Sequence, residues 1–187
     1  KINSLKTEEG KFSVIETISV FNGKPKDFGW DETIVFFNDS EKFRYEQPEG
    51  TVDLSSGVIC LPENYQDPQN QEKKEARLRI TNPANFIKWA ALDEPKYQEE
   101  KRKRESQMLD QALSYLPNGS NQKDAFLDAT VLNDTFTPRT IKKYTNHANG
   151  ALYGSPSKSR TGSTNLKNLY LAGTDQGYIG IVGAMLG

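Results

Sequence analysis

Cysteine and histidine are the scarcest chemistry in this chain, which has one of each among 187 residues. With only Cys60 there is no internal disulfide, and with only His147 no clustered His/Cys metal site can be assembled. Cys60 stands in Gly57-Val-Ile-Cys-Leu61, the setting of a buried strand thiol rather than of a nucleophile. His147 lies in Asn146-His-Ala-Asn-Gly150, a polar turn with no sequence signal for a catalytic partner, so a surface role outweighs general-base chemistry. An excess of one charge is missing too. The 24 Lys+Arg against 25 Asp+Glu leave a net charge of -1, which gives no electrostatic case for nucleic acid or an anionic membrane. No apolar run approaches the roughly 20 residues of a membrane-spanning helix, and the opening residues show no signal-peptide pattern. The sequence begins at Lys1 and stops at Gly187, a few residues into what reads as a helix, so it is expected to be a piece of a longer protein.

What is present is enough for a core. The hydrophobic fraction is only 35% and the mean hydropathy -0.74, but eight Tyr, nine Phe and two Trp supply bulky interior candidates. Residues 12–21 (FSVIETISVF) are rich in β-branched and aromatic side chains and partly alternate, which predicts a strand ended by Asn22-Gly23-Lys24-Pro25. Residues 33–37 (TIVFF) predict a second strand, closed by Asn38-Asp39-Ser40, with Phe43 and Tyr45 continuing the sheet beyond that turn. Residues 52–61 and 77–81 predict two more. The polar, Pro/Asn/Gln-rich stretch 62–75 between them reads as an exposed loop.

The longest helix signal starts at Asp93 as cap, has Pro95 in its first turn, and runs to about residue 116 before Pro117-Asn118-Gly119 stops it. Tyr97, Met108, Leu109, Ala112, Leu113 and Leu116 form its apolar face. The basic cluster Lys101-Arg-Lys-Arg104 sits among Glu99, Glu100 and Glu105, a solvated face of mixed charge rather than a nucleic-acid patch. Residues 125–132 look β-prone. Strands, one long helix and more strand predict an α+β fold with a mixed or antiparallel sheet and the helix on one face. Residues 154–165 (GSPSKSRTGSTN) read as a surface loop, and a boundary is expected between 134 and 135.

The C-terminal stretch carries the strongest chemical signal. Leu169-Tyr-Leu-Ala172 suits a strand buried on both faces, and Gly173, Gly177, Gly180 and Gly183 then remove β-carbons where the backbone bends or approaches a ligand. A helix starting at Gly180-Ile-Val-Gly183 would turn its N–H groups and positive dipole end towards an anion or a polarised carbonyl. Asp175 can accept hydrogen bonds from a sugar or polyol hydroxyl. Glycine spacing alone leaves a plain tight turn, with Asp175 as a cap, equally open.

Thr137-Pro-Arg-Thr140, Tyr144, Asn149-Gly-Ala-Leu-Tyr-Gly154, Asn168-Leu-Tyr-Leu-Ala-Gly-Thr-Asp175 and Gly180-Ile-Val-Gly-Ala184 follow one another with short gaps. In that order they resemble the C-terminal part of the flavin-dependent retinol saturase, carotenoid isomerase and phytoene desaturase family. Gln176-Gly-Tyr-Ile179 stands where the desaturases have a proline-containing turn, and by length aligns with the saturase-like branch. The resemblance implies non-covalent FAD and hydrogen transfer to or from C=C bonds of an apolar polyene, with the hydride carried by the cofactor. By position it implies that Gly173, Thr174 and Asp175 lie near the ribityl and pyrophosphate region. Gly180, Ile181, Val182 and Gly183 would lie near the pyrimidine edge of the flavin ring. Tyr144 and Tyr153 would flank the way in for substrate, although a core tyrosine is the plainer reading of each. Thr137-Pro138 would shape a turn between domains.

Residues 1–134 would then be a substrate-side domain and 135–187 would contribute the last strand and helix start of a Rossmann-type FAD domain. The G-x-G-x-x-G of the family's N-terminal half is absent from these residues, so the rest of its own chain is the implied partner. The location expected is cytoplasmic, with peripheral membrane contact of the whole protein left open, and no nucleic acid is expected. Two other readings stand beside this one: a cofactor-independent module that binds apolar ligands or a partner through its sheet, and a flavin amine oxidase.

Overall fold

The computed structural model describes residues 9–42, 44, 46–65, 74–153, 155, 156, 158 and 161–173. At its centre is β1 (Ser13–Asn22), whose alternating pattern puts Ile15, Thr17, Ser19 and Phe21 in the interior and leaves Glu16, Ile18 and Val20 half-buried on the other side. It is flanked by β4 (Glu75–Ala84) and β5 (Thr130–Phe136). Beyond β4 come β3 (Ser56–Cys60) and β2 (Ile34–Asn38), so the sheet order is β2-β3-β4-β1-β5 and every pairing is antiparallel. The expectation of an antiparallel sheet with a helix on one face holds. The strand β5 crosses residues 134 and 135, so Thr135 and Phe136 belong to the same sheet as the residues before them.

The helix α2 (Glu94–Tyr115) forms as its sequence dictates. The Asp93 side chain accepts from the Lys96 N–H at 3.0 Å, Pro95 occupies the first turn, and the chain leaves helical geometry at Leu116. Tyr97, Met108, Leu109, Ala112, Leu113 and Leu116 are all buried against the inner face of the sheet, beside Ile15, Ile59, Leu78 and Ile80. Each leucine, isoleucine or methionine among them contributes roughly 1.5–3 kcal/mol relative to exposure. The turn after α2 requires glycine at 119, where a β-carbon would lie 2.3 Å from the Leu113 carbonyl oxygen. One end of the core is aromatic: Phe21, Phe28, Trp30 and Phe126 pack with ring centroids 4.9 to 6.4 Å apart, and the indole N–H of Trp30 donates to the Pro117 carbonyl.

Several expectations change. The strand predicted over 52–61 is confined to β3, because the Asp53 carboxylate accepts from the Ser55 N–H, the Ser55 hydroxyl and the Ser56 hydroxyl and holds a turn there, while Val52 makes only an isolated bridge to Ala84. The strand predicted over 77–81 is longer, β4. Directly after β4 comes α1 (Phe86–Ala90), unforeseen, capped by Asn85, whose side chain accepts from the N–H groups of Ile87 and Lys88; it buries Trp89. The β-prone stretch 125–132 is instead the end of α3 (Lys123–Ala129) followed by β5. Burial of Phe126 outweighs β propensity there, and the Thr130 hydroxyl, bonded back to the Phe126 carbonyl, marks the switch. Thr137-Pro138, expected as a turn, opens α4 (Pro138–Thr145), with Pro138 in its first turn and the Thr137 N–H donating to the Thr140 hydroxyl at 3.3 Å. Phe43, Tyr45 and 66–73 lie outside the described residues.

Candidate functional site

The inner face of the sheet is closed by α2; among the described residues the outer face is the more exposed one. Register places its side chains in rows that cross all five strands. One row is Phe36, Val58, Thr81, Glu16 and Phe136, and the next is Ile34, Cys60, Arg79, Ile18 and Asp134, with Arg77, Val20 and Leu132 beyond. Apolar side chains gather at both ends of these rows: Phe36 is 77% exposed, Leu132 60%, Ile34 51% and Phe136 40%. Between them sits an ionic centre. Arg79 donates Nε to Glu16 Oε1 at 2.8 Å and brings Nη2 to 2.7 Å of the same oxygen, while the Thr81 hydroxyl donates to Oε2 at 3.1 Å. The Glu16 side chain is only 14% exposed, against 45% for Arg79. Cys60 lies opposite Arg79; burial raises its thiol pKa, Arg79 lowers it and Glu16 adds to the rise.

At the Phe136 end the open face meets a tightly tied seam. Thr137 is fully buried, with its hydroxyl 3.0 Å from the Tyr97 hydroxyl. The Arg139 guanidinium lies 4.1 Å from the centre of the Tyr97 ring and reaches Glu94 at 3.2 Å. Gly150 adopts φ +55°, and a β-carbon there would meet the Pro138 carbonyl oxygen at 2.6 Å, so this left-handed turn requires glycine. Its own carbonyl accepts the Ser13 hydroxyl at 2.6 Å, Asn149 donates to the Gly10 carbonyl, and the Leu152 N–H donates to the Phe12 carbonyl. The motif residues 137–150 are thus clamped to the start of β1 and to α2.

Tyr144 does not enter the core: it is 76% exposed on α4, with the Lys143 ammonium 5.3 Å from its ring. Tyr153 is half-buried, and its carbonyl accepts from Lys158. Gly173 has a positive φ of +92°, and among the described residues nothing lies within 4 Å of where a β-carbon would sit. Thr174, Asp175, Gly180, Ile181, Val182 and Gly183 lie outside the described residues. The strand expected at Leu169-Tyr-Leu-Ala172 is not buried on both faces. Tyr170 makes one isolated bridge to Ser163, and Leu169, Tyr170 and Leu171 are 50%, 69% and 45% exposed. Burial on both faces needs flanking strands and covering helices, and the described residues supply only the short return at 162–163.

His147 Nδ1–H donates to the Ala151 carbonyl at 2.8 Å and holds a turn. In the basic cluster on α2, Arg104 pairs with Glu100 and Lys101 with Asp134. A cleft of about 580 Å³ over residues 40–55 is lined by charges of both signs, including Glu41, Lys42, Arg44 and Glu49. Among the described residues no group of His, Cys, Asp and Glu could hold a metal ion, and no helix is long and apolar enough to cross a membrane. The ionic centre at Glu16, Arg79 and Thr81 escaped the sequence reading; the polar half of the alternation in Arg77-Leu-Arg-Ile-Thr81 was its only signal. No protein-family profile matches the chain, and no curated protein does either.

Proposed function

We propose that this chain is part of an FAD-dependent oxidoreductase resembling the retinol saturases, carotenoid isomerases and phytoene desaturases, with residues 1–134 on the substrate side and 135–187 contributing to the FAD-binding domain. Its substrate would be a polyisoprenoid such as a carotenoid or retinoid, hydrogenated, dehydrogenated or isomerised at C=C bonds. The observation that carries the reading is the ordered motif series, whose members Thr137, Arg139, Asn149 and Gly150 fix the chain where it leaves an open, partly apolar sheet face. Ile18, Val20, Leu132 and Phe136 offer a wall along which a long flat ligand can lie and from which water is displaced. The flavin, when bound, supplies hydride transfer. Thr174, Asp175 and the backbone of Gly180, Ile181, Val182 and Gly183 would border it, and Tyr144 and Tyr153 would line the substrate's way in once another part of the protein covers them. The ADP half of the cofactor needs a glycine-rich turn that these 187 residues do not contain, and would come from elsewhere in a longer protein.

The test is a visible absorption spectrum of the longer protein containing this chain, before and after anaerobic addition of a retinoid or carotenoid. A flavin band that changes on adding the polyene is expected. A protein that shows no flavin band even after incubation with FAD overturns the reading. Tight retinoid binding by the 187-residue chain without flavin would instead favour a cofactor-independent binding module using the open face.

A further inference from the structure

The two edges of the sheet are treated differently, and the difference identifies an interaction surface. At β5 the edge is guarded. The pairing with β1 shifts register at Val20 and Phe21, Lys101 reaches Asp134, and Glu105 accepts from both Asn133 and Thr135. Bulges and charges of this kind are the usual protection against strand addition. At β2 there is none of this: Ile-Val-Phe-Phe-Asn contains no charge, no proline and no shift of register. The Leu61 N–H donates to the Thr33 carbonyl and the Asp39 N–H to the Ser55 carbonyl. With that phase, Val35 and Phe37 bond inward to β3, whereas Ile34, Phe36 and Asn38 turn their N–H and C=O groups outward. Among the described residues no strand lies on that side.

We propose that β2 pairs with β2 of a second copy of this chain, antiparallel, about a two-fold axis at Phe36. In that register Ile34 faces Asn38 of the second copy, and Phe36 faces its own equivalent. Every outward donor and acceptor of the strand is then matched, and no charge opposes another. A slip of one residue would present the inward-bonded residues instead and leave the outward groups unpaired. Phe36 and Ile34, both exposed on the outer face, gain aromatic and aliphatic cross-strand neighbours. The two sheets become one, with both open faces on the same side. Because β5 is guarded, the assembly closes at two copies rather than growing. A foreign strand would need the same uncharged register, which the chain's own strand already provides.

The test is sedimentation of the 187-residue chain from low to high micromolar concentration, with Phe36→Lys and Ile34→Pro beside it. Lysine at 36 sets two like charges face to face, and proline at 34 removes an N–H that the single copy does not use. The native chain is expected to show a two-chain mass at high concentration. Both variants should show a single-chain mass throughout, with unchanged circular dichroism, while Leu132→Lys on β5 stays dimeric. A single-chain mass for the native protein at every concentration overturns the proposal, as does a folded Phe36→Lys or Ile34→Pro that dimerises like the native chain.

Discussion

The two faces of the sheet use the same strands for opposite ends. On the inner face the row Val35, Ile59, Ile80, Thr17 and Thr135 is closed off by α2, and even its hydroxyls are satisfied within the protein: Thr17 and Thr135 lie 3.1 Å apart, and Thr135 also donates to Glu105. On the outer face the neighbouring row places Arg79 and Ile18 side by side, with apolar residues at the margins. Burial of apolar area is the main source of stability, so the inner face holds the fold together and the outer face is left available for binding. That division implies that substitutions on the inner face change stability more than substitutions at the exposed apolar margins of the outer face.

The largest test of this asymmetry is Trp30→Ala. Trp30 is fully buried in the aromatic cluster and also bonds the Pro117 carbonyl, so its truncation should cost about 3–5 kcal/mol in urea unfolding. Phe36→Ala on the outer face should cost less than about 1 kcal/mol. Equal losses at the two positions would mean that the outer face is covered and structural. A smaller effect, about 1–3 kcal/mol, is expected for Gly57→Ala, because a β-carbon at 57 points inward and would meet the Thr81 carbonyl oxygen at 2.6 Å and the Phe37 ring at 2.7 Å. A Gly57→Ala protein as stable as the native one would show that β3 and β4 can separate without cost.

How much of this was legible in the sequence follows from where each element draws its stability. The helix α2 and strand β1 were legible because cap, periodicity and stop signals are all local to Asp93, Pro95 and Gly119 or to Asn22 and Gly23. The helices α1 and α3 were not, since each is short and exists to bury one large ring, Trp89 or Phe126, against partners distant in sequence. The motif at 137–150 could be read as a resemblance, but its physical work could not. The Tyr97 to Thr137 hydrogen bond joins residues forty positions apart, and the packing of Gly150 against Pro138 depends on α4, which the sequence presented as a turn. The open face was illegible for a related reason. Glu16, Ile18 and Val20 alternate with buried residues whichever way the outer side is used, and only register shows that Arg79 and Cys60 join them in one surface.

The finest probe of that surface is Cys60. Burial pushes its thiol above the ordinary value of 9.0, Arg79 pulls it back, and Glu16 pushes with the burial. The folded protein therefore holds this proton more tightly than the unfolded chain. The resulting stabilisation is complete below about pH 9 and is lost as pH rises through the folded-state pKa. Arg79→Met removes the opposing charge and leaves the Glu16 carboxylate beside the thiol, so the thiolate becomes harder to form. Alkylation of Cys60 followed against pH should show a midpoint above 9.0 in the native protein and higher still in Arg79→Met. The added shift is the smallest effect expected here, because Arg79 is 45% exposed and water screens its charge. A native midpoint at or below 9.0, unmoved by Arg79→Met, would mean that the centre of the face is as wet as any surface, and the apolar margins would then be separate patches rather than the two ends of one binding wall.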